Sequence, residues 1–142
     1  PELNRFLYTA VGGDWYWVDR LGWTYAEWQA YLGKDSFETW ILFEEGATAG
    51  YFELERRGNA VELAIFGLLP SYFGRGLGRR LLAAAIARAA ATGAVRMTLN
   101  TCTLDHAAAL RNYRSQGFRV VETRAVAKDL PPTPPGPWPG AR

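Results

Sequence analysis

A chain of 142 residues with a formal net charge of +2 suits one domain with a sizeable core, and its single cysteine and single histidine exclude an internal disulfide and a structural zinc site, so no metal is expected. The near-neutral balance, without a basic run interleaved with aromatics, gives no nucleic-acid signature, and no stretch is long and apolar enough to span a membrane. One unpaired cysteine suits a reducing, cytoplasmic setting, and no secretory signal is visible in a sequence that begins at Pro1 rather than Met.

Residues 5–10 and 25–32 read as two short helices, the second with Thr24 as N-cap and Gly33 as stop. Trp15, Trp17, Trp23 and Trp28 lie in or near them, and at least half of these read as core. Residues 38–44 read as a strand, Glu45-Gly46 as a hairpin break, and 48–56 as the next strand. Trp40 and Phe43 are expected in the sheet core. After a turn at Arg57-Gly58-Asn59, residues 60–69 form a mostly apolar third strand, expected to be central. A helix over 77–91 places Leu77, Leu81, Leu82, Ala85, Ile86 and Ala89 on one face, and Gly93 ends it. Residues 95–101 read as a strand, Asp105 as the cap of a helix over 106–116, and 118–128 as a last strand. A domain over 1–130 is followed by a Pro-rich tail, 131–142, expected to be extended and disordered. Meandering strands followed by strand–helix–strand units make a mixed α/β sheet with antiparallel and parallel parts.

The strand-to-helix junction Leu68-Leu69-Pro70-Ser71-Tyr72-Phe73-Gly74-Arg75-Gly76-Leu77-Gly78-Arg79-Arg80 carries the clearest chemistry. Glycines allow close backbone approach and left-handed angles, and the first N–H groups of a helix, at its positive dipole end, accept an anion such as phosphate. Arg75, Arg79 and Arg80 add positive charge, Arg75 being the best placed of the three. No Gly-Lys-Ser/Thr follows, so this is not a Walker loop, and the third glycine of a dinucleotide fingerprint is missing in either register.

Two motifs resemble the GNAT superfamily of acetyl-CoA-dependent N-acetyltransferases. Phe73-Gly74-Arg75-Gly76-Leu77-Gly78 is similar to the family pattern Gln/Arg-x-x-Gly-x-Gly/Ala, and Ala109-Leu110-Arg111-Asn112-Tyr113-Arg114-Ser115-Gln116-Gly117-Phe118 to its A-x-x-x-Y-x-x-x-G-F segment. The resemblance spans roughly residues 40–123. Phe73 departs from the usual Gln or Arg, and His106 stands where many members have an Asn that touches the cofactor. The family fold also opens with a strand for which this chain has almost no room.

The resemblance implies a GNAT-like mixed sheet with helices on both faces, acetyl-CoA as cosubstrate, and direct acetyl transfer to a primary amine in a ternary complex. It implies cofactor contacts at Leu68, Leu69, Phe73, Gly74, Arg75, Gly76, Leu77, Gly78, Arg79, His106 and Tyr113. An alkyl amine has a pKa of roughly 10 and must lose a proton before it attacks. Glu62 is the leading base, since Glu62, Ala64, Phe66 and Leu68 alternate onto one strand face and several family members carry a glutamate there. Glu53 and Glu55 are less favoured substitutes. By resemblance the Leu68 N–H stabilises the developing oxyanion and the Tyr113 hydroxyl protonates the departing thiolate. His106 is an alternative base, though cofactor contact or helix capping fits its place better, and Cys102 reads as a small buried hydrophobe rather than a nucleophile. A non-catalytic acyl-CoA-binding or regulatory module on the same scaffold is the alternative class. A protein-interaction role for the Pro-rich tail would explain the tail alone. The amine acceptor is not identified by the residues, and monomer and homodimer both stay open.

Overall fold

The computed structural model describes residues 1–138. Helix α1 (Glu2–Gly12) buries Asn4, Leu7, Tyr8 and Val11 on one stripe, the spacing of an amphipathic helix. It outruns the expected 5–10 at both ends because Leu7 and Val11 pack on Tyr51 of the sheet, which carries the helix through a residue of poor propensity, Gly12. A 3-10 turn (Gly13–Trp15) follows. Helix α2 (Tyr25–Leu32) lies where the sequence places it. Thr24 accepts from the Glu27 N–H while the Glu27 carboxylate accepts from the Thr24 N–H, a reciprocal capping box.

Strands β1 (Phe37–Glu44), β2 (Ala47–Arg57) and β3 (Ala60–Leu68) form an antiparallel meander, and β4 (Arg96–Leu99) joins β3 in parallel, giving the order β1-β2-β3-β4. Between the paired Glu44 and Ala47, Glu45 and Gly46 both take positive φ, 52° and 82°. That is the two-residue turn whose twist matches a hairpin. Helix α3 (Leu77–Ala91) makes the β3–β4 crossover, and α4 (Ala109–Ser115) follows β4.

The sheet is mixed and covered on both faces, as expected. On one face Phe52, Leu54, Val61, Leu63 and Leu68 pack with Leu77, Leu81, Leu82, Ala85 and Ala89 of α3 and with Tyr113 of α4. Arg88 ties α3 to β1 through a two-pronged ion pair with Glu38, at 2.7 and 2.6 Å. On the other face Tyr51 packs with Leu7 and Val11 of α1, flanked by Trp17, Ile41, Ile65 and Leu69.

Several expectations are corrected. Residues 118–128 form no strand; they are almost wholly exposed, with Val121 96% so. Their β-branched composition finds no partner strand, and Lys128 is held instead by Asp19, 2.5 Å away in the α1–α2 connection. Strand β4 stops at Leu99 rather than 101, which leaves Cys102 exposed in a loop, not buried. Helix α4 begins at Ala109, because Asp105 turns back to accept from the Thr101 hydroxyl and the Cys102 N–H instead of capping it. Trp40 and Phe43 lie on the edge strand and are 43% and 59% exposed. Over 131–138 the Pro-rich tail has no helix or strand, but the Gly136 N–H donates to the Gly13 carbonyl at 3.0 Å. The remainder of the expected disordered tail, 139–142, lies outside the described residues.

Among the described residues no helix is long and apolar enough to cross a membrane, and no group of three or more His, Cys, Asp or Glu is arranged to hold a metal.

Candidate functional site

Strands β3 and β4 pair only from Ala60↔Arg96 to Leu63↔Leu99. Beyond that, β3 runs on to Leu68 while β4 has ended, so a gap opens along the last five residues of β3, about 16 Å at the usual rise. Both strands point their carboxyl ends at this gap, and α3 begins there. Crevices at the carboxyl ends of parallel strands are where open α/β sheets place ligands.

Residues along the rim follow from β3's parity. Ile65↔Glu53 and Leu63↔Leu54 pair across the β2–β3 ladder, leaving Ala64 as an extra residue in β3, a bulge. Downstream, the Leu69 N–H donates to the Ala49 carbonyl at 2.9 Å. Successive amides of a strand point to opposite sides, so the Leu68 N–H points away from β2 and into the gap. The bulge also corrects the expected alignment of Glu62 with Phe66 and Leu68. Val61, Leu63, Phe66 and Leu68 belong to the α3 face, so Glu62 lies on the opposite one. There its carboxylate is bridged by Arg57 at 2.9 Å and accepts from Asn100 at 3.3 Å.

The first turn of α3 is built to receive an anion. Gly74 and Gly76 both have φ +74°, a left-handed backbone that side chains avoid. Gly76 is the N-cap, no side chain caps the helix, and no acidic residue stands in its first turn. The first intrahelical bond is from Arg80 N–H to Gly76, so the N–H groups of Leu77, Gly78 and Arg79 are orphaned at the positive end of the helix. Gly78 differs from the other two: a methyl group there would meet only ordinary contacts with Leu68 and Asn112, at 3.7 and 3.8 Å.

Helix α4 clasps this turn. Asn112 donates to the Gly78 carbonyl and Gln116 to the Arg79 carbonyl, both at 3.2 Å. Neither residue drew attention in the sequence, although the A-x-x-x-Y-x-x-x-G-F segment contains both. Arg75, Arg79 and Arg80 are exposed. The Arg75 guanidinium stands over the Tyr72 ring at 5.3 Å and 3.9 Å from Glu44.

Tyr113 is brought to the same gap. Its ring is set edge-on against Phe66 and Phe118, with centroids 5.9 and 6.1 Å away. Burial, reinforced by the negative charge of Asp105, raises its phenol well above the ordinary value. His106 is exposed, its Nδ1 accepting from the Ala108 N–H at 3.0 Å. Its ring meets Phe73 and Trp15, each with centroids 5.0 Å apart. Leu68 thus ends β3 beside the turn of Phe73, Gly74, Arg75, Gly76, Leu77, Gly78 and Arg79, with Tyr113 packed on Phe66 of the same strand and His106 on Phe73, whereas Leu69 packs on the α1 face and Glu62 stands across the sheet from α3.

The α1–α2 side holds a second polar cluster. The Arg20 guanidinium donates to the Glu53 carboxylate at 2.7 Å and to the Tyr31 hydroxyl at 2.8 Å, and Asn4 donates to Glu53 at 3.0 Å. The rings of Tyr8, Trp23, Trp28 and Tyr31 surround the guanidinium at 4.3–5.8 Å. Burial opposes the charge of Arg20, but the Glu53 carboxylate outweighs it and holds the group above its ordinary pKa. Glu53 is thus fully buried and committed to an ion pair, which withdraws it as a substitute base.

Solved structures resemble this arrangement. The aminoglycoside N-acetyltransferase AAC(6')-Iy in complex with CoA superposes with a TM-score of 0.60 at 19% identity, over 73% of this chain and 84% of that one. The ribosomal-protein-S18-alanine N-acetyltransferase from Escherichia coli gives 0.62 at 19% identity, over 83% of this chain and 70% of that one. A transcriptional regulator from Bacillus halodurans gives 0.62 at 17% identity, over 75% and 77%. No curated protein sequence matches the chain. At such identities these likenesses show the fold. The sequence profile of the acetyltransferase (GNAT) family matches residues 4–118, a span that takes in both the glycine turn and the tyrosine helix, and the chain belongs to that family.

Proposed function

We propose that the protein moves the acetyl group of acetyl-CoA directly onto a primary amine within a ternary complex. The observation that carries this reading is the juxtaposition of the orphaned amides of α3 with a β3–β4 gap into which the Leu68 N–H points. A diphosphate suits the amides of Leu77, Gly78 and Arg79, with Arg75 beside them. A chain reaching from there along β3 brings a thioester carbonyl to the Leu68 N–H, which stabilises the oxygen as it becomes negative. The amine nitrogen bonds to the carbonyl carbon, the carbon–sulfur bond breaks, and the phenol proton of Tyr113 passes to the sulfur. Because burial keeps that phenol protonated, the donor is ready across the working pH range.

The proton lost by the amine goes to Glu62, through water, from the face opposite α3. Glu62's engagement by Arg57 and Asn100 is the observation that favours the second reading, a non-catalytic acyl-CoA-binding module. Release of free thiol from acetyl-CoA across a panel of small amines, amino acids and peptides separates the two. Tight coenzyme binding with no turnover on any amine would leave the module reading standing.

Gly76→Val is the test of the donor site. It forces a β-branched residue into a left-handed position and removes the anion cradle, and coenzyme affinity should fall by more than about a hundredfold. Calorimetry showing wild-type affinity in a folded variant would refute the assignment.

A further inference from the structure

Both places where the chain departs from the family's cofactor pattern, Phe73 and His106, hold rings, and those rings touch. Phe73 stands on the segment that follows β3 and His106 on the segment that follows β4. Since β3 and β4 are parallel, these segments are the two lips of the gap at the end where α3 begins. The rings meet edge-to-face, with centroids 5.0 Å apart at 64°. Trp15, from the 3-10 turn after α1, closes the group: it lies edge-to-face on His106 at 5.0 Å and 71°, and 6.4 Å from Phe73. Centroid separations of this size are direct contact and leave no width for a methylene chain between the rings.

We propose that Phe73, His106 and Trp15 form an aromatic latch across the mouth of the β3–β4 gap, which must part before the coenzyme arm can enter. The inference rests on the donor-site reading above, because an arm held at the start of α3 and reaching the Leu68 N–H has to pass between these lips. Phe73 is the fixed half of the latch, packed against the core that α3 shares with the sheet. His106 is the movable half: it is exposed, its chain is outside any helix, and one hydrogen bond, from the Ala108 N–H to Nδ1, sets its ring. Trp15 makes the latch a link between the α1–α2 side and the donor site.

The test is the kinetics of coenzyme A binding to the full chain, followed by stopped-flow tryptophan emission, for wild type, His106→Ala, Trp15→Ala and His106→Phe. A ligand that binds only the open form associates in proportion to the open fraction. Removing either ring should raise the association rate constant about fivefold, and His106→Phe, which keeps a ring in place, should restore the slower wild-type association. Faster dissociation with unchanged association would overturn the latch, since the rings would then form a roof that grips a bound arm. Equal rates in all four proteins would overturn it as well. Should no protein of the set bind coenzyme A while circular dichroism shows all of them folded, the donor-site reading itself falls. His106 is exposed, so its variants keep the test open if Trp15→Ala fails to fold.

Discussion

The two faces of the sheet are held by different forces. Under α1 and α2, a buried arginine and glutamate are paired inside a ring of four aromatics, and Asn4 and Tyr31 complete their hydrogen bonds. Under α3 and α4 the core is apolar, leucines and alanines with Phe52, Phe66 and the Tyr113 ring, and the polar groups at the start of α3 are backbone amides left without partners. The first face concentrates the consequences of substitution in stability. The second can lose a functional group such as the Tyr113 hydroxyl and remain folded, because its core is apolar.

The largest effect should come from Glu53→Ala. It strands the buried guanidinium of Arg20, at a cost of about 3–5 kcal/mol, read as a lowered midpoint in urea. A loss below about 1 kcal/mol would erase the distinction between the faces. Tyr113→Phe is the counterpart on the other face. It should reduce kcat about a hundredfold with little change in KM for acetyl-CoA and little change in the urea midpoint. An unchanged kcat would remove Tyr113 from the chemistry.

A pH titration tests the burial of the phenols, Tyr113 on the α3 face among them. Burial pushes the phenols of Tyr8 and Tyr31 up to about 12, while their unfolded values lie near 10. Between these two values the unfolded chain sheds protons that the folded chain keeps, so stability should decline as pH rises through that window. Denaturation midpoints measured at intervals from neutral to strongly alkaline pH check the sign, and a flat profile would place these phenols in water. The smallest effect belongs to Thr24→Ala, which removes the α2 capping box for about 1 kcal/mol and should leave coenzyme affinity untouched in calorimetry.

What the sequence disclosed depended on how local each signal was. Thr24 with Gly33, the Glu45-Gly46 turn and the 77–91 stripe are decided by neighbours in the chain, and α2, the first hairpin and α3 stand where those signals put them. The glycine turn was equally legible, because Gly74 and Gly76 are required by their own backbone angles. Features that need a second segment were not. The bulge at Ala64 exists only in the pairing of β3 with β2, and it moved Glu62 to the far face. Residues 118–128 had the composition of a strand yet pair with none, although β4 is an edge strand. Arg20 gave no local sign of burial. Glu53, set between Phe52 and Leu54, was the available clue, since a carboxylate in an otherwise buried strand demands a cationic partner.

The extra residue at position 64 has a consequence for tolerance to change. Its side chain is half-buried and belongs to neither core cluster. Deleting it would leave Leu63↔Leu54 and Ile65↔Glu53 as successive regular pairs, so residues 68 and 69 would keep the directions that their β2 partners set. What would go is the bend and added twist that a bulge gives a strand, at the residue that follows the last β3–β4 pair: the kink sits where the two parallel strands begin to part.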